Sequence, residues 1–282
     1  MKGLPQIQPE DSAAWLAELA TQCLLAEARL TPKPGLVDQR GRGAHHDLSL
    51  PLMERSAYSL TAMFQALAQH SWRRPADMAL RQTIGQLGRA GERQMMTATG
   101  GVNTHRGAIW ALGLLVSALA MRGGHGTARQ VAIMAAELAT IPDDAAPKIF
   151  SNGLRVTQRY RLPGAKEEAQ QAFPHVMQLG LPQLRLSRRN GSREDQARLD
   201  ALMAIMTSLP DTCVLSRAGM SGLTTMQRGA RSVLRMGGCA HPAGVQALAR
   251  LDQQMLALNA SPGGAADLLA ATLFLDRIES PY

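Results

Sequence analysis

Apolar residues recur at helical spacing through most of this chain. Between positions 11 and 30 they fall at Trp15, Leu16, Leu19, Ala20, Cys23 and Leu24. Steps of three and four residues place these side chains on one face of a helix. The same spacing predicts further helices over 52–70, 76–96, 127–140, 148–160, 165–179, 192–208, 220–236 and 242–258. No segment shows the strict alternation that is typical of a half-buried strand.

Two more helices are indicated by the residues that can start them. Asn103 or Thr104 can cap the apolar run that follows, which ends before a pair of glycines. Ser261 and Pro262 can open a last helix that runs to about position 276, because proline at the first helical position loses no hydrogen bond. The segment 182–191 is predicted to be a flexible loop.

The composition fits a helical core. Hydrophobic residues make up 45% of the 282 residues but aromatic residues only 4%, so Leu, Ala, Met and Val must fill the interior. Most of these favour helices over strands. We therefore predict an all-α fold in which residues 1–282 form a single multi-helix globular domain with roughly ten or more helices.

Cysteine usage and the N-terminal segment indicate the compartment. Cys23, Cys213 and Cys239 are unevenly spaced and form no CxxC pair, which fits a reducing environment. The first ten residues are polar and lack an apolar signal region. The longest apolar run, 107–121, is shorter than the roughly 18 residues that a membrane span needs. These features predict a cytoplasmic protein that does not enter a membrane.

The formal net charge of +8 indicates an anionic partner. Most arginines are scattered along the chain, and a cluster of four between 185 and 193 is expected to lie in a solvated loop. Aromatic residues that could stack on bases are not interleaved with the arginines, and no helix-turn-helix or zinc-finger pattern is present. Small polyanionic substrates are therefore favoured over nucleic acid or acidic lipid.

A cationic loop follows the first predicted helix. Pro32 and Pro34 restrict the backbone there, and Gly35 permits a turn that other residues adopt less readily. Lys33 and Arg40 flank this turn and could bind a polyphosphate through charge-assisted hydrogen bonds. Solvated loop charges are the alternative interpretation.

Three carboxylates accompany this loop. Glu27 follows Cys23 and Leu24 by four and three residues, so it belongs to the buried stripe and needs an ionic partner, a metal ion or a raised pKa. Asp38 and Asp47 bracket the loop and could ligate Mg²⁺ or act as a general base. A structural ion pair for Glu27, and turn or cap formation for the two aspartates, are the alternatives.

Two predicted helix N-termini are candidate phosphate sites, because the free N–H groups and the helix dipole attract anions. The residues that would line them are Asn103, His105, Arg106, Ser261, Gly263 and Gly264. The glycines would let a ligand approach the backbone closely. Ordinary capping at the first site and close helix packing at the second are the alternatives.

Three residues in the C-terminal part also suggest chemistry. Asp267 is the sole charge between 265 and 275, so we expect it to be buried and functional. Arg217 lies near a break between two predicted helices and is a further candidate phosphate ligand. Cys213 has no evident histidine or aspartate to activate it, and is expected to serve in packing.

Separated motifs of the chain resemble those of one known family. They are the segments 31–38 with 43–47, 101–108 and 261–270, and they occur in the family's order. In these motifs the chain resembles the triphosphoribosyl-dephospho-coenzyme A synthase family, from about Glu27 to the last helix. Further matching positions are 152–160, 164–165, 168–169 and 211–213. The Asp-Thr-Cys sequence at 211–213 is closer to the malonate decarboxylase branch of the family than to the citrate lyase branch.

The resemblance implies an enzyme that uses ATP and 3′-dephospho-coenzyme A. The triphosphoribosyl group of ATP moves to the 2′-hydroxyl of dephospho-coenzyme A, and adenine is released. The product is the prosthetic-group precursor for the acyl carrier protein of malonate decarboxylase or citrate lyase. A nucleotidyltransferase that acts on this carrier protein is then the expected recipient.

The resemblance also suggests roles for the candidate residues. Glu27 or Asp38 would act as base or stabilise the oxocarbenium-like state, and His105 would assist the departure of adenine. The expected ATP and triphosphate ligands are Lys33, Arg40, Asn103, Arg106, Arg217, Ser261, Gly263 and Gly264. Mg²⁺ is expected to bridge the phosphates of ATP to one or two of Asp38, Asp47 and Asp267.

Two other functions remain open from the sequence. One is a Mg²⁺-dependent helical hydrolase of nucleotides or ADP-ribose, which would use similar carboxylates with water as the acceptor. The other is a non-catalytic basic module that binds coenzyme A or an acyl carrier protein. Release of adenine that depends on dephospho-coenzyme A would distinguish the transferase from both.

Overall fold

The computed structural model describes residues 9–146 and 152–279, and these ranges are largely helical. The α-helices are α1 (Pro9–Ala28), α2 (Leu50–Ser59), α3 (Thr61–Ser71), α4 (Met78–Ala98), α5 (Arg106–Met121), α6 (Ala128–Thr140), α7 (Asn152–Tyr160), α8 (Ala165–Gln170), α9 (Leu181–Arg189), α10 (Glu194–Met206), α11 (Thr212–Arg235), α12 (Pro242–Ala257) and α13 (Gly263–Glu279). The described residues contain no strand, only an isolated bridge between Asp38 and Gly41. The all-α prediction is confirmed, while the predicted helix start at Lys148 lies outside the described residues.

One continuous hydrophobic core extends from Ala13 on α1 to Leu275 on α13. Helix α5 is buried from Ala111 to Met121. It carries no charge after its first residue, so it can bury all of its sides. It packs against α3, α6 and α13, and α1 packs on α3 and α13. None of the described helices is both long and apolar enough to span a membrane.

Two predicted helices are interrupted. The predicted helix over 52–70 is divided at Leu60 into α2 and α3. The predicted helix over 165–179 ends early, because Ala172 and Phe173 have left-handed backbones with φ of 59° and 57°. Pro174 follows, and the residue before a proline is disfavoured in the helical region. The chain then resumes as a π-helical segment, His175–Gly180, that continues into α9.

The prediction of a flexible loop over 182–191 is wrong, because α9 occupies most of it. Arg189 is solvated as expected, but Arg185 and Arg188 are held in ion pairs. Arg188 donates to Asp276 of α13 at 2.6 Å and to Glu194 of α10 at 2.8 Å. Asp276 is only 4% exposed and therefore needs a cationic partner. The ion pairs join three helices, which explains why this basic segment is ordered.

Several helix starts differ from prediction. Helix α5 begins at Arg106, whose N–H donates to Asn103 Oδ1 at 3.3 Å, so Asn103 lies just before the helix as predicted. Helix α10 begins at Glu194 with Arg193 in the cap position, one residue after the predicted cap. Helix α11 starts at Thr212, earlier than predicted, and its backbone kinks at Gly219, where φ is 61°.

Candidate active site

The cationic loop after α1 is held together by Asp38. Its Oδ2 accepts the N–H of Lys33 at 2.8 Å, and its Oδ1 accepts the N–H of Arg40 at 2.8 Å. The guanidinium of Arg40 also pairs with Asp38 and reaches Asp252 on α12, both at 2.8 Å. Gly35 donates to Asp252 at 2.9 Å and has φ of 69°. Both oxygens of Asp38 and the side chain of Arg40 are thus used to shape the loop and attach it to α12.

Lys33 and Glu27 form a buried ion pair. The ammonium of Lys33 donates to Oε1 of Glu27 at 2.5 Å and to the backbone carbonyl of the same residue at 2.7 Å. Glu27 is 3% exposed and Lys33 is 1% exposed. A lysine ammonium has three N–H donors, so one remains for a further partner. The partner that the sequence required for Glu27 is therefore the lysine of the neighbouring loop.

His105 lies at the start of α5 and is 2% exposed. Its Nδ1 is 2.7 Å from the hydroxyl of Ser56, which is 2.5 Å from the hydroxyl of Thr104. Among the described residues, Nε2 has no hydrogen-bond partner. Burial lowers the pKa of His105 to about 4, and the ammonium of Lys33 contributes to the lowering. The imidazole is therefore neutral near pH 7.

Asp267 connects α13 to the start of α5. A β-carbon on Gly107 would overlap its Oδ2, so only glycine allows this approach. The backbone N–H of Ala108 lies near its carboxylate and favours the ionised form. Asp267 is partly buried. Desolvation raises its pKa well above the ordinary value, and the carboxylates of Glu27 and Asp211 raise it further. Asp267 is therefore close to the Glu27–Lys33 pair.

Asp211 caps two helices at once. Its Oδ1 accepts the N–H groups of Cys213 at 2.9 Å and Val214 at 3.2 Å, in the first turn of α11. Its Oδ2 accepts the N–H of Ala265 of α13 at 2.8 Å. Burial raises the pKa of Asp211 to about 6, although these backbone donors oppose the shift. No local feature of the sequence indicates that Asp211 also caps the last helix.

A cavity of about 100 Å³ lies where α5, α8, α11 and α13 begin. Its apolar walls include Trp110, Phe173, Pro163, Pro210, Leu209 and Leu268. Its ionisable lining residues are Asp211, Asp267, Glu167, Glu168 and His175. No lysine or arginine is among the described residues that line it. The cavity is thus acidic, although the chain as a whole is basic.

Glu168 and His175 form a pair at the edge of this cavity, and sequence reasoning missed them as site residues. Glu168 is 8% exposed and accepts the backbone N–H of His175 at 2.9 Å. Its second oxygen is 2.7 Å from Nδ1 of the same histidine. The adjacent glutamates after Pro163-Gly164 were the available signal, since such residues favour a helix start.

Two contacts attach the cationic loop to the start of α13. His45 Nε2 is 2.8 Å from the hydroxyl of Ser261, and burial together with nearby Arg217 lowers the pKa of this histidine. The guanidinium of Arg217 donates to the carbonyl of Asn259 at 2.9 Å, to its side-chain oxygen at 2.8 Å, and to the carbonyl of Ala44. Arg217 therefore joins α11, the loop and the turn before α13.

The remaining predicted residues lie further out or serve in packing. Arg106 is half-exposed and pairs with Glu92 of α4. The side chain of Asp47 is 63% exposed. A β-carbon on Gly263 would lie 3.1 Å from the sulfur of Cys213, and one on Gly264 would lie 3.0 Å from Asp211. These glycines thus permit the close contact between the starts of α11 and α13. Asn103 is exposed.

The described residues contain no group of three or more His, Cys, Asp or Glu side chains placed to hold a metal ion. Asp38, Asp47 and Asp267 therefore do not form a common site. A Mg²⁺ ion that is bound mainly by substrate phosphates needs only one or two carboxylates. The predicted use of one or two of these aspartates stays a prediction.

The all-helical fold places a cavity lined by acid–base groups beside several helix N-termini, an arrangement that is typical of an enzyme active site. Residues 13–282 match the family model of the ATP:dephospho-CoA triphosphoribosyl transferases. The chain belongs to this transferase family, as the sequence motifs indicated.

Relatives agree with this assignment. The chain is 68% identical over 278 residues to the 2-(5″-triphosphoribosyl)-3′-dephosphocoenzyme-A synthase of Klebsiella pneumoniae, with 99% of each chain covered. A relative from Stutzerimonas stutzeri, whose name is the same with the prefix "Probable", is 58% identical, with 99% of this chain and 96% of the relative covered. A crystal structure provisionally described as the triphosphoribosyl-dephospho-CoA synthase of Archaeoglobus fulgidus has a TM-score of 0.54 at 17% identity. It covers 79% of this chain and 98% of its own, and it supports the fold.

Proposed function

We propose that this protein transfers the triphosphoribosyl group of ATP to the 2′-hydroxyl of 3′-dephospho-coenzyme A and releases adenine. The observation that carries the proposal is the convergence of the Glu27–Lys33 pair, His105 and Asp267 where α5 and α13 begin. In the reaction, the bond between ribose C1′ and adenine breaks and a bond from C1′ to the acceptor oxygen forms. The acceptor hydroxyl loses a proton, and adenine gains one.

Glu27 is the proposed base that receives the proton of the acceptor hydroxyl. Its Oε1 accepts from Lys33, whereas Oε2 takes no hydrogen bond among the described residues. Asp38, the other candidate, has both oxygens engaged by the loop. A negative charge next to C1′ also stabilises an oxocarbenium-like transition state. Burial keeps water away from the pair, which favours transfer over hydrolysis.

The triphosphate is proposed to bind at the N-terminal end of α5 and along the cationic loop. Backbone N–H groups of a helix start favour phosphate, and Lys33 has one N–H left to donate. The half-exposed side chain of Arg106 can turn from Glu92 towards a bound anion. Each charge-assisted hydrogen bond contributes about 1.5–3 kcal/mol. Arg40 and Arg217 are engaged with the protein, so their proposed contribution is to position the loop.

Mg²⁺ is proposed to accompany ATP. The ion would neutralise phosphate charge, and Asp47 would be its protein ligand among the three predicted aspartates. The side chain of Asp47 is 63% exposed and has only a 3.7 Å contact to His45, so its carboxylate is available. Asp38 is occupied by the loop. Transfer of the product to a nucleotidyltransferase, its use in the malonate decarboxylase system and a cytoplasmic location stay predictions.

The test is a reaction of the purified protein with ATP, Mg²⁺ and 3′-dephospho-coenzyme A, followed by chromatography and mass spectrometry. Adenine should appear in step with one adduct that has gained the intact triphosphoribosyl unit, without free phosphate or pyrophosphate. The 2′-deoxy form of dephospho-coenzyme A is the matched control and should give no adduct. Adenine release without any acceptor would indicate the hydrolase, and binding of both nucleotides without turnover would indicate a non-catalytic module.

A further inference from the structure

We propose that the acidic cavity is the binding site of the departing adenine and that Asp267 donates the proton this base takes up. The inference rests on the proposed transfer reaction and assigns a task to groups that the triphosphate and the acceptor leave unused. It identifies the ligand of the cavity as a neutral purine base and Asp267 as a catalytic residue.

The lining of the cavity argues against phosphate and for a base. Its described ionisable residues are four carboxylic acids and one histidine, with no lysine or arginine. A triphosphate would be repelled there. A purine is flat and apolar on its faces, which suits walls that include Trp110 and Phe173. Its edge carries basic ring nitrogens, which can accept a proton or hydrogen bond from a carboxylic acid.

Asp267 is the cavity carboxyl group with the fewest partners. Asp211 accepts backbone N–H groups from two helices on both of its oxygens. Glu168 uses both oxygens for His175, and Glu167 accepts the N–H of Gly164 at 2.9 Å. No side chain among the described residues donates a hydrogen bond to Asp267, and the nearby backbone N–H of Ala108 is the one donor that affects its carboxylate. One oxygen of Asp267 therefore remains for a ligand in the cavity.

The location of Asp267 also fits this task. It lies on the cavity wall, and its electrostatic interaction with Glu27 shows that the proposed general base is near. The reacting ribose carbon belongs between these two groups. His105, by contrast, is not among the residues that line the cavity. Its lowered pKa also leaves it without a proton to give near neutrality.

The protonation states support the geometry. The raised pKa of Asp267 keeps its carboxyl group protonated at a pH where an ordinary aspartate is ionised. As the bond between C1′ and adenine breaks, this proton moves to a ring nitrogen, and adenine leaves as a neutral molecule. Glu27 takes the proton of the acceptor hydroxyl. One proton is given and one is taken, so no further reactant is needed to restore both groups.

The test compares Asp267→Asn with the unchanged protein on ATP, 7-deaza-ATP and 3-deaza-ATP. Asparagine keeps an oxygen for the N–H of Ala108 but cannot donate a proton. Turnover of ATP should fall roughly 10²- to 10⁴-fold. The deaza analogue that lacks the protonated nitrogen should be a poor substrate for the unchanged protein, and Asp267→Asn should slow it little further. Equal slowing by the substitution on all three nucleotides would overturn the proposal.

Two controls distinguish proton donation by Asp267 from a general effect of losing a carboxylate and from Mg²⁺ binding. Asp144→Asn makes the same change on an exposed residue and should retain full activity. If Asp267 were instead a Mg²⁺ ligand, high Mg²⁺ would restore the rate of Asp267→Asn, and that result would reject the proton-donor assignment. The unchanged protein should lose activity at alkaline pH as Asp267 ionises. The pH–rate profile of Asp267→Asn should lack this alkaline decrease.

Adenine binding tests the cavity independently of turnover. Calorimetry with free adenine should detect binding to the unchanged protein and a roughly ten-fold weaker affinity for Asp267→Asn, as expected for one lost hydrogen bond. Adenine binding without adduct formation would leave the cavity assignment in place and reject the transfer reaction. Adduct formation without any adenine binding would leave the transfer reaction in place and reject the cavity assignment.

Discussion

Asp267 and Gly107 lie so close together that a side chain on Gly107 would overlap the carboxylate of Asp267. The two residues come from α13 and α5, and their contact brings the carboxylate to the N–H of Ala108. Gly107 has no positive φ, so backbone freedom is not what the position requires. The requirement is space for the carboxylate.

We predict that Gly107→Ala impairs turnover without destabilising the protein severely. Alanine favours a helix over glycine by about 1 kcal/mol, so α5 should form as before. The added methyl group must displace Asp267, and turnover should fall at least ten-fold. Gly88→Ala on α4 is the matched control, because its β-carbon would meet only Ile109, at 3.9 Å. Steady-state kinetics and thermal unfolding of both variants check this, and equal activity of the two would refute it.

A second prediction concerns the buried Glu27–Lys33 pair. Removing one partner leaves an uncompensated buried charge, which typically costs 3–5 kcal/mol in the free energy of unfolding. Glu27→Met and Lys33→Met should each show a loss of about that size in urea denaturation. The double substitution should recover much of the loss while remaining inactive. Additive losses would show that the two charges do not depend on each other.

The third prediction is a pH dependence of stability that comes from Asp211. Its pKa is about 6 in the folded protein and near 4 when unfolded, so the folded state binds more protons between these values. The contribution of Asp211 to the free energy of unfolding is therefore fully present below about pH 4. It decreases by about 3 kcal/mol as the pH rises through 6. Unfolding free energies measured from pH 4 to 7 should show this slope in the unchanged protein relative to Asp211→Asn. A constant difference between the two proteins would contradict the assignment.

A fourth prediction concerns the several hydrogen bonds that the guanidinium of Arg217 donates. Its guanidinium spans Asn259 and the carbonyl of Ala44, and a lysine ammonium is a single point of charge that cannot reproduce this geometry. Arg217→Lys should loosen the cationic loop and raise the KM for ATP more than it lowers kcat. Hydrogen exchange of residues 35–45 should become faster. Arg228→Lys, at an exposed position of the same helix, is the control and should change neither property.

The fold was largely predictable because its helices bury apolar stripes that recur at regular spacing. The errors arose where a backbone feature overrides that spacing. The helix over 165–179 is broken by Phe173 and Pro174, whose effect is local and steric. The segment with Arg188 was taken for a loop because its charges suggest solvent, whereas Asp276 of a distant helix neutralises them. Such a partner is 88 positions away and leaves no local signal.

The candidate site was predictable in its residues but not in their partners. Glu27 on an apolar stripe required a buried partner, and the structure supplies Lys33, which the sequence suggested for phosphate. Asp267 was recognised because it is the sole charge between 265 and 275. The capping of α13 by Asp211 and the pairing of Glu168 with His175 depend on how helices meet. Spacing within one helix carries no information about such contacts.

The crosswise contacts of α13 have a consequence during protein synthesis. Asp267 lies against the start of α5, the N–H of Ala265 donates to Asp211, and the hydroxyl of Ser261 forms a hydrogen bond with His45. A ribosome produces α5 and α11 well before α13, and N-terminal segments generally fold first. A growing chain therefore has no complete cavity, and it cannot bind nucleotide productively until residues 263–279 have emerged.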